Sequence, residues 1–183
     1  VMTRELLPGL TKDIPVNEIY YYGTGCADPD NVMIMEKILG RLFPDATLFV
    51  THDLMGAARA TCGHSEGVAC ILGTGSGTCY YDGNSIAKSQ PGLGYILGDE
   101  GSGAYLGRKV VQYYLYDTFD EELRSRFEKS FSDRKDDILE KVYKQPRANR
   151  YLASFSGFLA ENRGHFMVEN ILEDGLNDFF FSH

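Results

Sequence analysis

The stretch GVACILGTGSGTCYYDGNSIAKSQPGLGYILGDEGSGAYLG, residues Gly67–Gly107, decides the fold. An apolar run from Val68 to Leu72 enters the turn Gly73-Thr74-Gly75-Ser76-Gly77-Thr78, and a second run, Cys79 to Tyr81, leaves it. Two runs of strand composition joined by a short Gly/Thr/Ser turn predict a hairpin. Glycines let a backbone approach a ligand closely, and a turn of outward-facing N–H groups with hydroxyls beside them suits a phosphate. The turn is neither a Gly-Lys-Ser/Thr loop nor GxGxxG, and many glycine turns hold no ligand. Asp82-Gly83 and a third extended stretch follow, and then a second glycine cluster around Gly98-Asp99-Glu100-Gly101-Ser102-Gly103, which carries two carboxylates.

Upstream of this stretch, Val1 to Pro8 reads as the tail of a helix, and Ile19 to Gly23 as a short aromatic strand. Asp28 as N-cap and Pro29 at the first position start a helix, with Val32, Met35, Leu39 and Leu42 at helical spacing. Thr47 to Val50 is a strand that runs into Thr51-His52-Asp53, and a helix of small residues follows from Leu54 to Thr61. Alternating strand and helix predicts a parallel α/β layer, in which functional groups collect at the carboxyl ends of strands. Asp53 sits at such an end, where cap and catalyst are equally good readings. The small residues behind it predict close packing of the helix end on a bound molecule. A lobe boundary is expected near residue 64, giving an N-terminal α/β lobe over 1–63 and a second lobe over 64–183.

Downstream, helices are expected from Glu100 to about Phe119, Asp120 to Phe131, Ile138 to Tyr143, Arg147 to Asn162 and Phe166 to Phe180. Gly101 and Gly103, poor helix formers placed in a first helical turn, imply backbone pressed against a ligand. The aromatic stripes of the later helices read as core.

The composition narrows the function classes. The chain has 183 residues, 43% hydrophobic and 24% charged, with net charge −8 and a pI near 5.0. An acidic chain without a Lys/Arg cluster argues against a nucleic-acid partner. No apolar stretch approaches the roughly 20 residues of a membrane span. Cys26, Cys62, Cys70 and Cys79 form no CxxC pair, and the histidines lack metal-ligand spacing. Reduced, mostly buried thiols in a cytoplasmic protein are the expectation.

Phosphoryl transfer to an alcohol needs a carboxylate base, donors for the phosphate oxygens and a polar group that holds the acceptor. Asp53, the hairpin Gly73 to Thr78 and the helix start Asp99 to Ser102 supply those types. Three segments carry a family resemblance: THDLMGAARATCG (Thr51 to Gly63), VACILGTGSGT (Val68 to Thr78) and PGLGYILGDEGSGAYLG (Pro91 to Gly107). Together they resemble the N-acetylglucosamine kinase branch of the BadF/BadG/BcrA/BcrD ATPase family, within the sugar kinase, Hsp70 and actin superfamily. The C-terminal segment Arg147 to Leu159 fits the same family. The resemblance implies an α/β, two-lobed, ribonuclease H-like ATPase fold.

It also implies an ATP-dependent kinase that phosphorylates an amino sugar, N-acetylglucosamine at O6, with magnesium and ATP as cofactors. By that resemblance Asp53 is the base on the sugar hydroxyl, and Gly73, Thr74, Gly75 and Ser76 grip the ATP phosphates. Asp99 binds sugar hydroxyls, and Gly92, Leu93 and Gly94 line the sugar pocket where the family often has Gly-Trp-Gly. Glu100 is assigned beside Asp99, toward a magnesium-bound water or behind the sugar contacts. No direct protein ligand to a metal is assigned. The family's first phosphate loop and its C-terminal adenosine motif have no counterpart, so the chain is expected to be truncated at both ends and not competent alone. The expected partners are a small sugar and ATP, with no nucleic acid and no membrane; a homodimer is left open. The competing reading is an ATPase activator of a radical dehydratase or reductase, which needs thiolates for an iron–sulfur cluster.

Overall fold

A computed structural model describes residues 15–183. The expected helix tail at Val1 to Pro8 lies outside the described residues. The chain divides into two compact units: the first runs to Gly67 and adds Tyr81–Ile86, and the second comprises Val68–Tyr80 and Ala87–His183.

In the first unit, β1 (Glu18–Gly23) and β2 (Thr47–His52) pair in parallel with Tyr20 opposite Phe49. Their rings stack with centroids 4.6 Å apart, a cross-strand aromatic pair of the kind that fixes register. The crossover between them is α1 (Pro29–Leu42), capped by the Asp28 carboxylate, which accepts from the Asp30 amide at 2.9 Å. Val32, Met35 and Leu39 are half-buried, while Leu42 is exposed and lies off the packed face. Strand β2 continues through His52, two residues beyond the expected Val50, and α2 (Asp53–Cys62) begins at once. Its Gly56 is there for β1: a Cβ on it would lie 2.8 Å from Tyr22 Cγ. Gly56 thus serves the packing of α2 on β1.

Strands β3 (Glu66–Leu72), β4 (Ser76–Asp82) and β5 (Ile86–Ser89) form one sheet in that order. Three-residue connections between neighbours leave only hairpins. The Gly73 amide closes the first turn on the Gly75 carbonyl at 2.9 Å, and the Asp82 amide closes the second on the Ser85 carbonyl at 3.1 Å. The thiols divide: Cys26 and Cys79 are buried, but Cys70 is exposed on β3, against the expectation of mostly buried thiols. The alternation of a strand, not the apolarity of the run, decides which face a side chain takes.

After a single helical turn, α3 (Gly94–Leu97), the second unit is helical: α4 (Gly103–Leu115), α5 (Glu121–Ser130), α6 (Lys135–Lys144), α7 (Ala148–Ser154), α8 (Ser156–Glu161) and α9 (Phe166–Ser182). Helix α4 starts three residues later than expected and stops earlier, because Gly101 (φ 70°) cannot be helical and Asp117 (φ 55°) ends the last turn. The expected single helix over 147–162 is two, meeting at Phe155. Ser154 and Ser156 donate to the carbonyls of Tyr151 and Ala153 at 2.6 and 2.8 Å, drawing those acceptors out of the regular helical pattern. Phe127 is wholly buried at the centre of the core, against Tyr114 (4.3 Å), Phe131 (4.8 Å), Phe158 (5.4 Å) and Phe155 (5.8 Å) between ring centroids. Burying one such ring contributes about 1.5–3 kcal/mol, so this cluster anchors the helices that back the site.

Candidate functional site

The second unit's site is built where the β3–β4 turn meets the start of α4. Residues 99–102 form a tight turn in which the Ser102 amide bonds to the Asp99 carbonyl at 3.1 Å. Its third position is Gly101 at φ 70°, the place where a type II turn takes glycine. A Cβ there would also lie 2.8 Å from Phe179 Cβ of α9. Ser102, fully buried, caps α4 by accepting from the Tyr105 amide at 3.2 Å. The next two amides of the helix, Gly103 and Ala104, donate to the carbonyls of Gly73 (2.8 Å) and Thr74 (3.1 Å) at the hairpin tip. The hairpin tip therefore serves as part of the helix cap. Gly101 and Gly103 are pressed against protein, Phe179 and the Gly73 carbonyl, and not against a ligand as their positions in the sequence implied.

The same docking brings Asp99 against the turn. Asp99 holds a left-handed conformation, φ 56°, that costs a residue with a Cβ about 1 kcal/mol or more. Its Oδ1 accepts from the Ser76 amide at 3.4 Å. Gly75 makes room for the carboxylate: a Cβ on Gly75 would lie 2.9 Å from Asp99 Oδ2. Beside this pair is a cavity of about 190 Å³ whose walls include Ser76, Gly92, Leu93, Asp99, Glu100 and His183. Five residues singled out from the sequence thus share one cavity: Ser76, Gly92, Leu93, Asp99 and Glu100. Thr74 is exposed at the tip, and Gly94 is exposed at φ 72° where α3 begins.

His183 went unnoticed in the sequence. Its ring Nδ1 is 3.3 Å from Thr78 Oγ1, its Nε2 is 3.5 Å from Glu100 Oε2, and its ring lies 4.9 Å from that of Phe179. A lone histidine 105 residues from its hydroxyl partner leaves no spacing signal to find. Behind the cavity, burial and a hydrogen bond to Asp178 push the Tyr105 hydroxyl up to about 12, so it remains a neutral donor to that carboxylate.

Asp53 belongs to the first unit. It is the first residue of α2; His52 before it holds the N-cap position and makes no side-chain cap hydrogen bond. Its Oδ2 accepts from Thr24 Oγ1 at 2.7 Å and its Oδ1 from the Leu54 amide at 3.0 Å. The carboxylate is thereby fixed from two sides while staying only half-buried.

Among the described residues no three or more His, Cys, Asp or Glu side chains are grouped to hold a metal. None of the four cysteines forms a disulfide or belongs to such a group, so nothing in their arrangement favours an iron–sulfur cluster. No helix among the described residues is long and apolar enough to cross a membrane.

No protein-family model and no curated protein sequence matches the chain. A solved structure from Porphyromonas gingivalis, named as a putative N-acetylglucosamine kinase, matches it with a TM-score of 0.93 and 39% identity over 99% of this chain. The chain spans 64% of that protein's length. Over that span the two share one mixed α/β fold. A second structure, named as a putative N-acetylglucosamine kinase from Chromobacterium violaceum, has a TM-score of 0.46 at 22% identity, covering 78% of this chain and 54% of its own, too distant to bear on the fold.

Proposed function

We propose that the chain is part of an ATP-dependent sugar kinase of the two-lobed actin-like class, which phosphorylates N-acetylglucosamine at O6. The observation that carries this reading is the cavity where Asp99, Glu100 and Ser76 converge beside Gly92 and Leu93. The likeness to the P. gingivalis protein supports it. Two carboxylates repel a phosphate but accept hydrogen bonds from hydroxyls, so the cavity suits the acceptor rather than the nucleotide. Asp99 and Glu100 bind the sugar's hydroxyls, and Leu93 gives its ring an apolar contact.

In this reading Asp53 is the general base that takes the proton of the 6-hydroxyl, because an alcohol is a weak nucleophile at neutral pH. Thr24 and the Leu54 amide orient its carboxylate. The hairpin tip, with Thr74 exposed, serves the phosphates of ATP. Magnesium, which prefers oxygen ligands and keeps its waters, would be held chiefly by those phosphates, with Glu100 the carboxylate assigned toward one of its waters. When bound it would offset the phosphate charge that builds during transfer.

The test is a coupled assay of the intact protein with ATP and a panel of hexoses and hexosamines. Turnover with N-acetylglucosamine above all other sugars is the expected result. ATP hydrolysis without any sugar dependence would overturn the reading.

A further inference from the structure

Two residues that line the cavity each carry a polar atom that the protein leaves unsatisfied. Ser76 Oγ and His183 Nε2 are both buried without a hydrogen-bond partner. A buried donor or acceptor left unpaired is costly, and since both residues line one cavity, the two atoms point to a ligand that pairs with them. The His183 side chain is only 9% exposed, and its ring is fixed by Thr78 at Nδ1 and by the Phe179 ring. What remains is Nε2, which lies 3.5 Å from Glu100 Oε2 without forming a hydrogen bond.

The four groups sort by role. Asp99 and Glu100 accept hydrogen bonds, the Ser76 hydroxyl donates, and in the tautomer in which Thr78 donates to Nδ1 the His183 Nε2 carries the proton and donates too. A neutral hydroxylated ligand satisfies all of them, since each hydroxyl both gives and takes a hydrogen bond. A phosphate satisfies the donors but meets two carboxylates. The volume of about 190 Å³ limits the ligand to a small molecule.

We propose that Ser76 Oγ and His183 Nε2 form a donor pair for the oxygens of a neutral polyol, so that His183 sets specificity for the acceptor and Ser76 serves the acceptor instead of the ATP phosphates. Calling that polyol the acceptor sugar rests on the kinase reading; the donor pair itself does not. The residue at the C-cap of α9 thereby takes part in ligand choice, and the glycine turn divides its duties, with its tip toward the nucleotide and its exit toward the sugar.

The experiment uses the intact protein with His183→Phe, His183→Gln and Ser76→Ala. His183→Phe keeps the ring volume and is expected to raise the KM for N-acetylglucosamine about ten- to a hundredfold, with the KM for ATP within about twofold of the parent. His183→Gln restores a donor and is expected to recover part of the loss; Ser76→Ala is expected to shift the same KM. An unchanged sugar KM, or a rise in the ATP KM instead, overturns the proposal. Thermal shifts with N-acetylglucosamine, glucose and inorganic phosphate provide a readout without turnover. Stabilisation by a sugar that His183→Phe abolishes supports the donor pair even where no sugar is phosphorylated, and the kinase reading then fails alone. Stabilisation by phosphate only, or by none of the three, overturns the donor pair. Should His183→Phe not fold, Ser76→Ala decides by the same criteria.

Discussion

Asp53 and Asp99 are both carboxylates at the start of a helix, and the chain treats them in opposite ways. Asp53 is the first residue of α2 in ordinary helical backbone, with one side-chain donor from Thr24 and one amide from Leu54. Any acidic residue fits there. Asp99 stands three residues ahead of the Ser102 cap at φ 56°, with Gly75 kept bare to admit its carboxylate. That arrangement costs backbone strain and survives only because the hairpin tip and α4 hold each other in place. An unstrained carboxylate fixed by two donors suits proton transfer, which needs orientation and access. A strained one wedged beside a cavity suits binding, which needs a rigid acceptor.

The widest test of this contrast is Asp53→Asn in the intact protein. The amide keeps an acceptor for Thr24 or Leu54 but cannot take a proton. We expect kcat to fall about 100-fold or more, which is about 2.7 kcal/mol of barrier, with the sugar KM and the melting temperature little changed. Near-normal turnover would remove Asp53 from the chemistry. Next in size is Asp99→Asn. Asparagine tolerates the left-handed region nearly as well as aspartate, so it removes charge without adding strain. The sugar KM is expected to rise about tenfold or more, the usual loss for a charged hydrogen bond. A fall in kcat at constant KM would give Asp99 the role argued for Asp53.

Gly75→Ala tests the wedge itself and is expected to do less. The new Cβ meets only the end of the Asp99 side chain, which can swing aside. Stability should drop by about 1 kcal/mol or less, while the sugar KM rises several-fold, about 1 kcal/mol of misplaced acceptor. A large loss of stability with an unchanged KM would make the Gly75–Asp99 contact structural alone.

The contrast also shows how far sequence carries. The Asp28-Pro29 start of α1 and the hairpin over 68–81 were legible because cap, proline and glycine turn act within a few residues. Three cavity residues, Ser76, Asp99 and Glu100, were legible because they lie in two glycine clusters, while Gly92 and Leu93 were named only through the family resemblance. The purpose of Gly56, Gly101 and Gly103 was not: a missing side chain announces a close neighbour but not whether that neighbour is Tyr22, Phe179 or a ligand. The break at Phe155 was hidden because serine hydroxyls compete with a helix only in their folded rotamers. His183 was hidden because its partners, Thr78 and Glu100, are assembled by tertiary packing.

The smallest predicted effect concerns what orients Asp53. Thr24→Val removes the hydroxyl that donates to Asp53 Oδ2 at 2.7 Å and keeps the shape of the side chain. One neutral donor is worth about 0.5–1.5 kcal/mol, so kcat is expected to fall about two- to tenfold, with both KM values unchanged. If kcat does not move, the Leu54 amide alone sets the carboxylate, and its direction comes from the backbone of α2. In that case both carboxylates would be aimed by main chain, Asp53 by a helix start and Asp99 by a left-handed turn. The difference between them would then reduce to strain, present at Asp99 and absent at Asp53.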